Sequence, residues 1–201
     1  MAGADLILAI ATIISGAVIG YVATWLRVDL DLRPKEAAVG SGAIAAGFAL
    51  LWLIGPDGGV ILILFAAFGP LIWIDIRRNL LPDPITLPLI AIGILTAFAS
   101  GRGLDGMIGA TLGYFTFRGL ALIWLKTRGV DALGHGDAKL IAAIGAFLGW
   151  MALPEIVLIA AVSGVIAALL KRARTGSDEI AFGPPLAVGA ALSWAFGPIF
   201  G

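Results

Sequence analysis

Eight apolar stretches follow one another along this chain with only short polar breaks, at roughly 5–26, 37–54, 59–75, 84–100, 106–125, 136–153, 155–170 and 180–199. A helix that crosses a bilayer needs about 20 mostly apolar residues, with a range of about 17–25. In lipid every backbone polar group must be satisfied within its own segment, so such stretches become helices. Hydrophobic residues make up 60% of the 201, and charged residues 13%. A soluble domain carries about 45–50% and about 25%. The expected fold is therefore all-α, a polytopic membrane bundle of about eight transmembrane helices. It forms a single domain over 1–201, since no polar stretch is long enough for a soluble one. The N-terminus, MAGADLILAI, lacks a positive n-region, and its apolar run reaches Leu26. That run is too long for a cleaved signal, so a retained helix is expected.

Lysine and arginine positions orient the bundle. Connections from odd to even segments carry Arg27, Arg33, Lys35, Arg77, Arg78, Lys126, Arg128, Lys171, Arg172 and Arg174, with Lys139 nearby. Connections from even to odd segments carry only Arg102, and Arg118 lies inside the fifth segment. The positive-inside rule then puts the basic connections in the cytoplasm and both termini outside it. Gly55-Pro56-Asp57-Gly58 and Leu153-Pro154 read as tight turns between antiparallel helices.

This topology brings two acids to one face. Asp75 closes ILILFAAFGPLIWID at the cytoplasmic end of the third segment, and Asp137 stands at the cytoplasmic start of the sixth. A carboxylate at a lipid-bordering helix is costly and points to function. Two carboxyls close enough to share one proton cannot both ionise, so one stays protonated. Such a pair can activate water and protonate a scissile carbonyl. The bland alternative makes each acid a solvated boundary marker. That reading suits Asp83, a turn or N-cap residue before Ile85, and the loop acids Asp105 and Asp131. Gly134 and Gly136 are expected to permit a strained backbone and close approach of substrate. His135 either tunes Asp137, contacts substrate or is incidental. Lys139 either anchors its helix at the headgroups or acts electrostatically. Arg118 needs a partner or a wet cavity, with Asp75 or Asp137 the available acids. The tryptophans read as interfacial or packing residues.

There is no cysteine and one histidine, which excludes thiolate catalysis, cysteine metal sites and a multi-histidine centre. Net charge is zero, and no basic patch points to nucleic acid. No metal and no cofactor is expected.

Three segments resemble the type IV prepilin peptidases, membrane aspartic proteases of the Gly-x-Gly-Asp class. Residues 74–86, IDIRRNLLPDPIT, are similar to that family's first-aspartate motif and include Pro82 and Asp83. Residues 132–140, ALGHGDAKL, followed by GAFLGW, resemble the second-aspartate motif. Residues 181–187, AFGPPLA, are similar to a Pro-Phe-Gly-Pro segment and contain Phe182, Gly183 and Pro184. The resemblance implies Asp75 and Asp137 as the catalytic pair of an endopeptidase in the bacterial cytoplasmic (inner) membrane. Its partners would be prepilins or pseudopilins, cut at the cytoplasmic face after a short basic leader, and the lipid bilayer. Many members also N-methylate the product and carry paired Cys-x-x-Cys motifs after the first helix. Here that connection is about residues 27–36, RVDLDLRPKE, so peptidase activity without methyl transfer is expected. The alternatives are a preflagellin-type or presenilin-like protease, a small proton- or cation-coupled transporter using the same acids, or a silent assembly factor.

Overall fold

A computed structural model describes residues 10–17, 34–54, 60–128, 134–175 and 181–197. Among these, all regular structure is α-helical. The helical stretch 10–17 is α1. It is followed by α2 (Pro34–Ile54), α3 (Ile61–Arg78), α4 (Asp83–Ala99) and α5 (Gly103–Arg128). The remaining helices are α6 (His135–Leu148), α7 (Leu153–Thr175) and α8 (Gly183–Phe196). Each expected apolar stretch thus holds one described helix.

Close glycine contacts fix the helix directions. A Cβ built on Gly42 of α2 meets Ala17 and Ile13 of α1, and one on Gly16 meets Ala45. Gly40 faces Trp73 on α3 while Gly69 faces Ser41. Gly106 meets Ala97, and along α5 and α6 Gly109 meets Gly145 while Gly113 meets Ile141. On α7, Gly164 faces Phe182 and Pro185, and Gly189 of α8 faces Ile156. Each of these pairs is antiparallel. By contrast α4 and α6 run parallel, since Asp83 reaches Lys139 and Gly93 packs on Ala146 and Phe147. Odd-numbered helices therefore run one way and even-numbered helices the other. Small residues at the crossings let backbones approach closely, the usual device where lipid removes the hydrophobic drive for helix pairing.

The centre is built from α3, α6 and α8. Phe65, Phe68 and Leu71 of α3 share one buried apolar cluster with Leu140, Ile141 and Ile144 of α6 and Leu186 of α8. Almost every residue of α6 from Ala138 to Phe147 is inside. Outer faces are inverted relative to a water-soluble protein. Leu95 and Phe98 of α4, Leu104 and Phe115 of α5, and Val165 and Leu169 of α7 are exposed. An apolar exterior of this kind suits lipid better than water. Two helices, Gly103–Thr127 and Leu153–Ala173, are long and apolar enough to cross a membrane, with mean hydropathy 1.3 and 2.3.

Several boundaries differ from expectation. Helix α3 continues one turn past Asp75 to Arg78, and α5 and α7 run through their terminal Lys and Arg residues. Charge ends an apolar run without ending a helix, because both residue types are good helix formers. Helix α6 stops at Leu148, where Gly149 takes φ +88. Leu153-Pro154 is not a turn but the first turn of α7, where proline's missing N–H costs nothing. The Gly55–Gly58 turn and most of the 27–36 connection lie outside the described residues.

The tightest crossing is checkable. A Cβ on Gly109 would sit 2.2 Å from the Gly145 carbonyl oxygen, whereas one on Gly119 of the same helix meets nothing within 4 Å. Gly109→Ala should destabilise the protein by about 1–3 kcal/mol through overpacking. Gly119→Ala should be level or stabilising by about 0.5–1 kcal/mol. Thermal unfolding in detergent micelles distinguishes the two.

Candidate active site

Four helix termini meet where Asp75 lies: the end of α3 and the starts of α4, α6 and α8. Each is shaped by local sequence. Helix α3 ends at Asn79, in the left-handed region at φ 50, ψ 43, with its N–H donating to the Asp75 carbonyl at 2.8 Å. Asparagine is among the few non-glycine residues that take this conformation at low cost. The chain then turns through buried Leu81 and Pro82 and starts α4. Pro82 is the N-cap, so Asp83 stands inside the first turn rather than at the cap. The Pro82 carbonyl accepts from the Ile85 and Thr86 amides and from the buried Thr86 hydroxyl.

Asp75 is 4% exposed and has one described hydrogen bond, from the Gly183 amide to Oδ2 at 2.8 Å. The sequence of α8 explains that bond. Phe182 at its N-cap has no side chain that can cap, and Pro184 and Pro185 carry no N–H. Leu186 already donates to the Phe182 carbonyl. Gly183 therefore holds the one orphan donor of the first turn, and Asp75 caps it from another helix. A Cβ on Gly183 would lie 2.6 Å from that same carboxyl oxygen. The AFGPPLA segment is thus both the start of α8 and the partner of the Asp75 carboxyl.

Asp137 is the third residue of α6 after its N-cap Gly134, and is half-buried. An acid at this position reaches back toward the N-cap amide, and the Gly134 backbone hydrogen-bonds the Asp137 carboxyl. Gly134 has φ −61 and ψ 141, an ordinary extended conformation, and Gly136 is helical. The expectation of a strained backbone at this motif is thus corrected: space, not φ, selects glycine. A Cβ on Gly136 would lie 2.7 Å from Leu81 Cβ. Asp75 and Asp137 come from motifs 62 residues apart in sequence, yet the connection after Asp75 rests on the start of α6 where Leu81 packs on Gly136, so both acids lie at one end of the bundle. Two carboxyls in this setting can hold one proton between them and act on a water.

Other expected residues distribute around them. Lys139 forms an ion pair with Asp83, joining the two aspartate motifs. Sequence reading missed this pair, because nothing in either motif says that they touch. His135 is exposed at the first position of α6. Phe182 is half-buried against Phe117, ring centroids 6.3 Å apart. Arg118 is half-buried and pairs with neither acid. Among tryptophans, Trp73 packs on Gly40 beneath the Arg77 guanidinium, and Trp194 packs on Phe65. Among the described residues no cluster of three or more His, Cys, Asp or Glu is placed to hold a metal. A cavity of about 390 Å³ lies at the opposite end of the bundle, lined by Arg102, Phe147, Ser193 and Trp194 among others. Neither Asp75 nor Asp137 lines it.

Comparison with known proteins agrees with these motifs. The model of the Type IV leader peptidase family matches residues 60–169, and the chain belongs to that family. It is 42% identical over 187 residues to a Burkholderia pseudomallei protein named prepilin leader peptidase/N-methyltransferase, covering 87% of this chain and 58% of that one. Proteins of the same name from Pectobacterium carotovorum (43% over 153 residues; 73% and 53%) and Escherichia coli K12 (37% over 150 residues; 69% and 63%) are also similar. The chain spans between half and two thirds of the length of these relatives. No solved structure matches.

The left-handed stop after the first aspartate gives a direct test. Asn79→Gly should keep stability, while Asn79→Val should cost about 1–2 kcal/mol by forcing a branched side chain into that conformation. Denaturant unfolding of the purified variants measures the difference.

Proposed function

We propose that this chain is an integral-membrane aspartic endopeptidase that removes the short basic leader of prepilins or pseudopilins at the cytoplasmic face. The observation that carries it is that Asp75, near the end of α3, and Asp137, at the start of α6, lie at one end of the bundle, where Asp75 accepts from the first amide of α8 and the connection after it rests on Gly136. Family membership and the relatives' shared name support the substrate class. In this reading all eight helices cross the bacterial inner membrane with both termini outside the cytoplasm. The alternating helix directions and the bias of Lys and Arg toward the acids' end support that orientation. A basic leader obeys the same charge rule and stays on that side, where the acids are.

The chemistry follows from one shared proton. The ionised carboxyl takes a proton from water, and the resulting nucleophile attacks the scissile carbonyl. The protonated partner donates to the carbonyl oxygen, which collects the developing charge. Proton return to the leaving amine then breaks the C–N bond and restores the pair. Substrate approaches laterally, its apolar helix against the bundle and its leader extended over the acids. The proposal covers peptide hydrolysis alone. These 201 residues contain no cysteine to form the Cys-x-x-Cys pairs associated with methyl transfer.

Cleavage of a prepilin by purified protein in detergent or vesicles is the test. Asp75→Asn and Asp137→Asn should each lower cleavage by at least about a thousandfold while leaving unfolding behaviour intact. Near-normal cleavage by either variant would sink the two-acid mechanism. Gly183→Ala should also lose about a hundredfold in kcat, because its new methyl displaces the Asp75 carboxyl. Steady-state kinetics on the same substrate measures it.

A further inference from the structure

We infer that the Asp83–Lys139 ion pair is a strut that sets the separation of the two acids, making both residues positioning residues for the reaction. The inference rests on the reading of Asp75 and Asp137 as the catalytic pair. Its starting point is how indirectly those acids are tied together. Asp75 belongs to α3, whereas Asp137 belongs to α6, a helix that packs chiefly on α4 and α5 and only sparingly on α3. The spacing of the acids is therefore set through α8, which bonds Asp75 and packs on α6, and through the short connection after Asp75 and its seating on the start of α6.

That seating has two described contacts. Leu81 packs on Gly136, where an added Cβ would fall 2.7 Å from the Leu81 Cβ. Two residues beyond Leu81 and three beyond Gly136, the Lys139 ammonium meets Asp83 Oδ1. The apolar contact fixes how closely the connection approaches α6. The packing of α4 on α6 sets the axial register further along, at Gly93 on Ala146 and Phe147, and the ion pair is the directional contact that holds it at the acids' end. Lys139 follows Asp137 by two residues, and Asp83 opens the helix that follows the Asp75 connection. The pair thus bridges the two motifs at the level of the acids. Its side chains are 21% exposed for Lys139 and 55% for Asp83, so solvent screens it and it adds little to global stability. Its effect is on geometry, where a displacement of about 1 Å can cost a hundredfold in rate.

A double-mutant cycle tests this, with kcat, KM and the unfolding midpoint all measured on a prepilin substrate. Lys139→Met keeps the apolar stem, and Asp83→Asn keeps shape and removes charge. Each should lower kcat by about tenfold to a hundredfold, leave KM within about twofold, and leave the unfolding midpoint unchanged. The double variant should be no worse than the poorer single one. The charge-exchanged protein, Asp83→Lys with Lys139→Asp, should recover most of the lost kcat. Multiplying losses in the double variant, a rise in KM in place of the fall in kcat, or no recovery on charge exchange would each overturn the strut. Asp75→Asn and Asp137→Asn run alongside. If they are inactive while the pair variants cleave normally, the strut alone is wrong. If they cleave normally, the acid pair itself is wrong and the strut falls with it.

Discussion

The hydrogen bond from Gly183 to Asp75 is the contact on which the acids' end of the bundle depends. A carboxylate buried to this degree needs a partner, and in the first turn of a helix beginning Gly-Pro-Pro only the glycine amide has no intrahelical acceptor and is free to give. Each side supplies what the other lacks. The bond spans 108 positions in sequence and fastens α8 to α3 at Asp75. The same helices meet again through Phe65 and Trp194 at 5.4 Å, so α8 lies along α3 and does not merely touch it at one end.

Glycine sets how near the helices can come, and the motif glycines act in the same way. At Gly109, Gly145 and Gly69 a methyl group would overlap a neighbouring backbone carbonyl. At Gly134, Gly136 and Gly183 it would crowd Asp137, Leu81 and Asp75 respectively. The Gly134–Asp137 segment is therefore a packing motif: Gly136 lets Leu81 rest on the start of α6, and Gly134 leaves room for the carboxyl that folds back on it.

Much of this was legible in the sequence. Runs of apolar residues between Gly, Pro and charge marked each helix, and lysine and arginine marked the end at which Asp75 and Asp137 meet. What was not legible depended on contacts between distant segments. Asp83 read as a lone turn residue because its partner, Lys139, is 56 positions away. The glycines of Gly-His-Gly-Asp suggested unusual dihedrals, since sequence shows a missing side chain but not what occupies its place. Helix ends were misjudged where polarity and helix propensity disagree. Lys126 and Arg128 leave the apolar zone without leaving the helix, and Gly149 stops α6 among residues that are still apolar.

The shared direction of the even-numbered helices has an electrostatic consequence. Helices α4, α6 and α8 all begin at the acids' end, so the positive poles of three backbone dipoles converge there. Each is equivalent to about half an elementary charge at a helix N-terminus. The field thus comes from peptide groups that cannot be titrated, and it is already in place before any substrate arrives. An oxyanion forming on a carbonyl held among these termini would meet preorganised positive potential, whatever the state of the surrounding lysines.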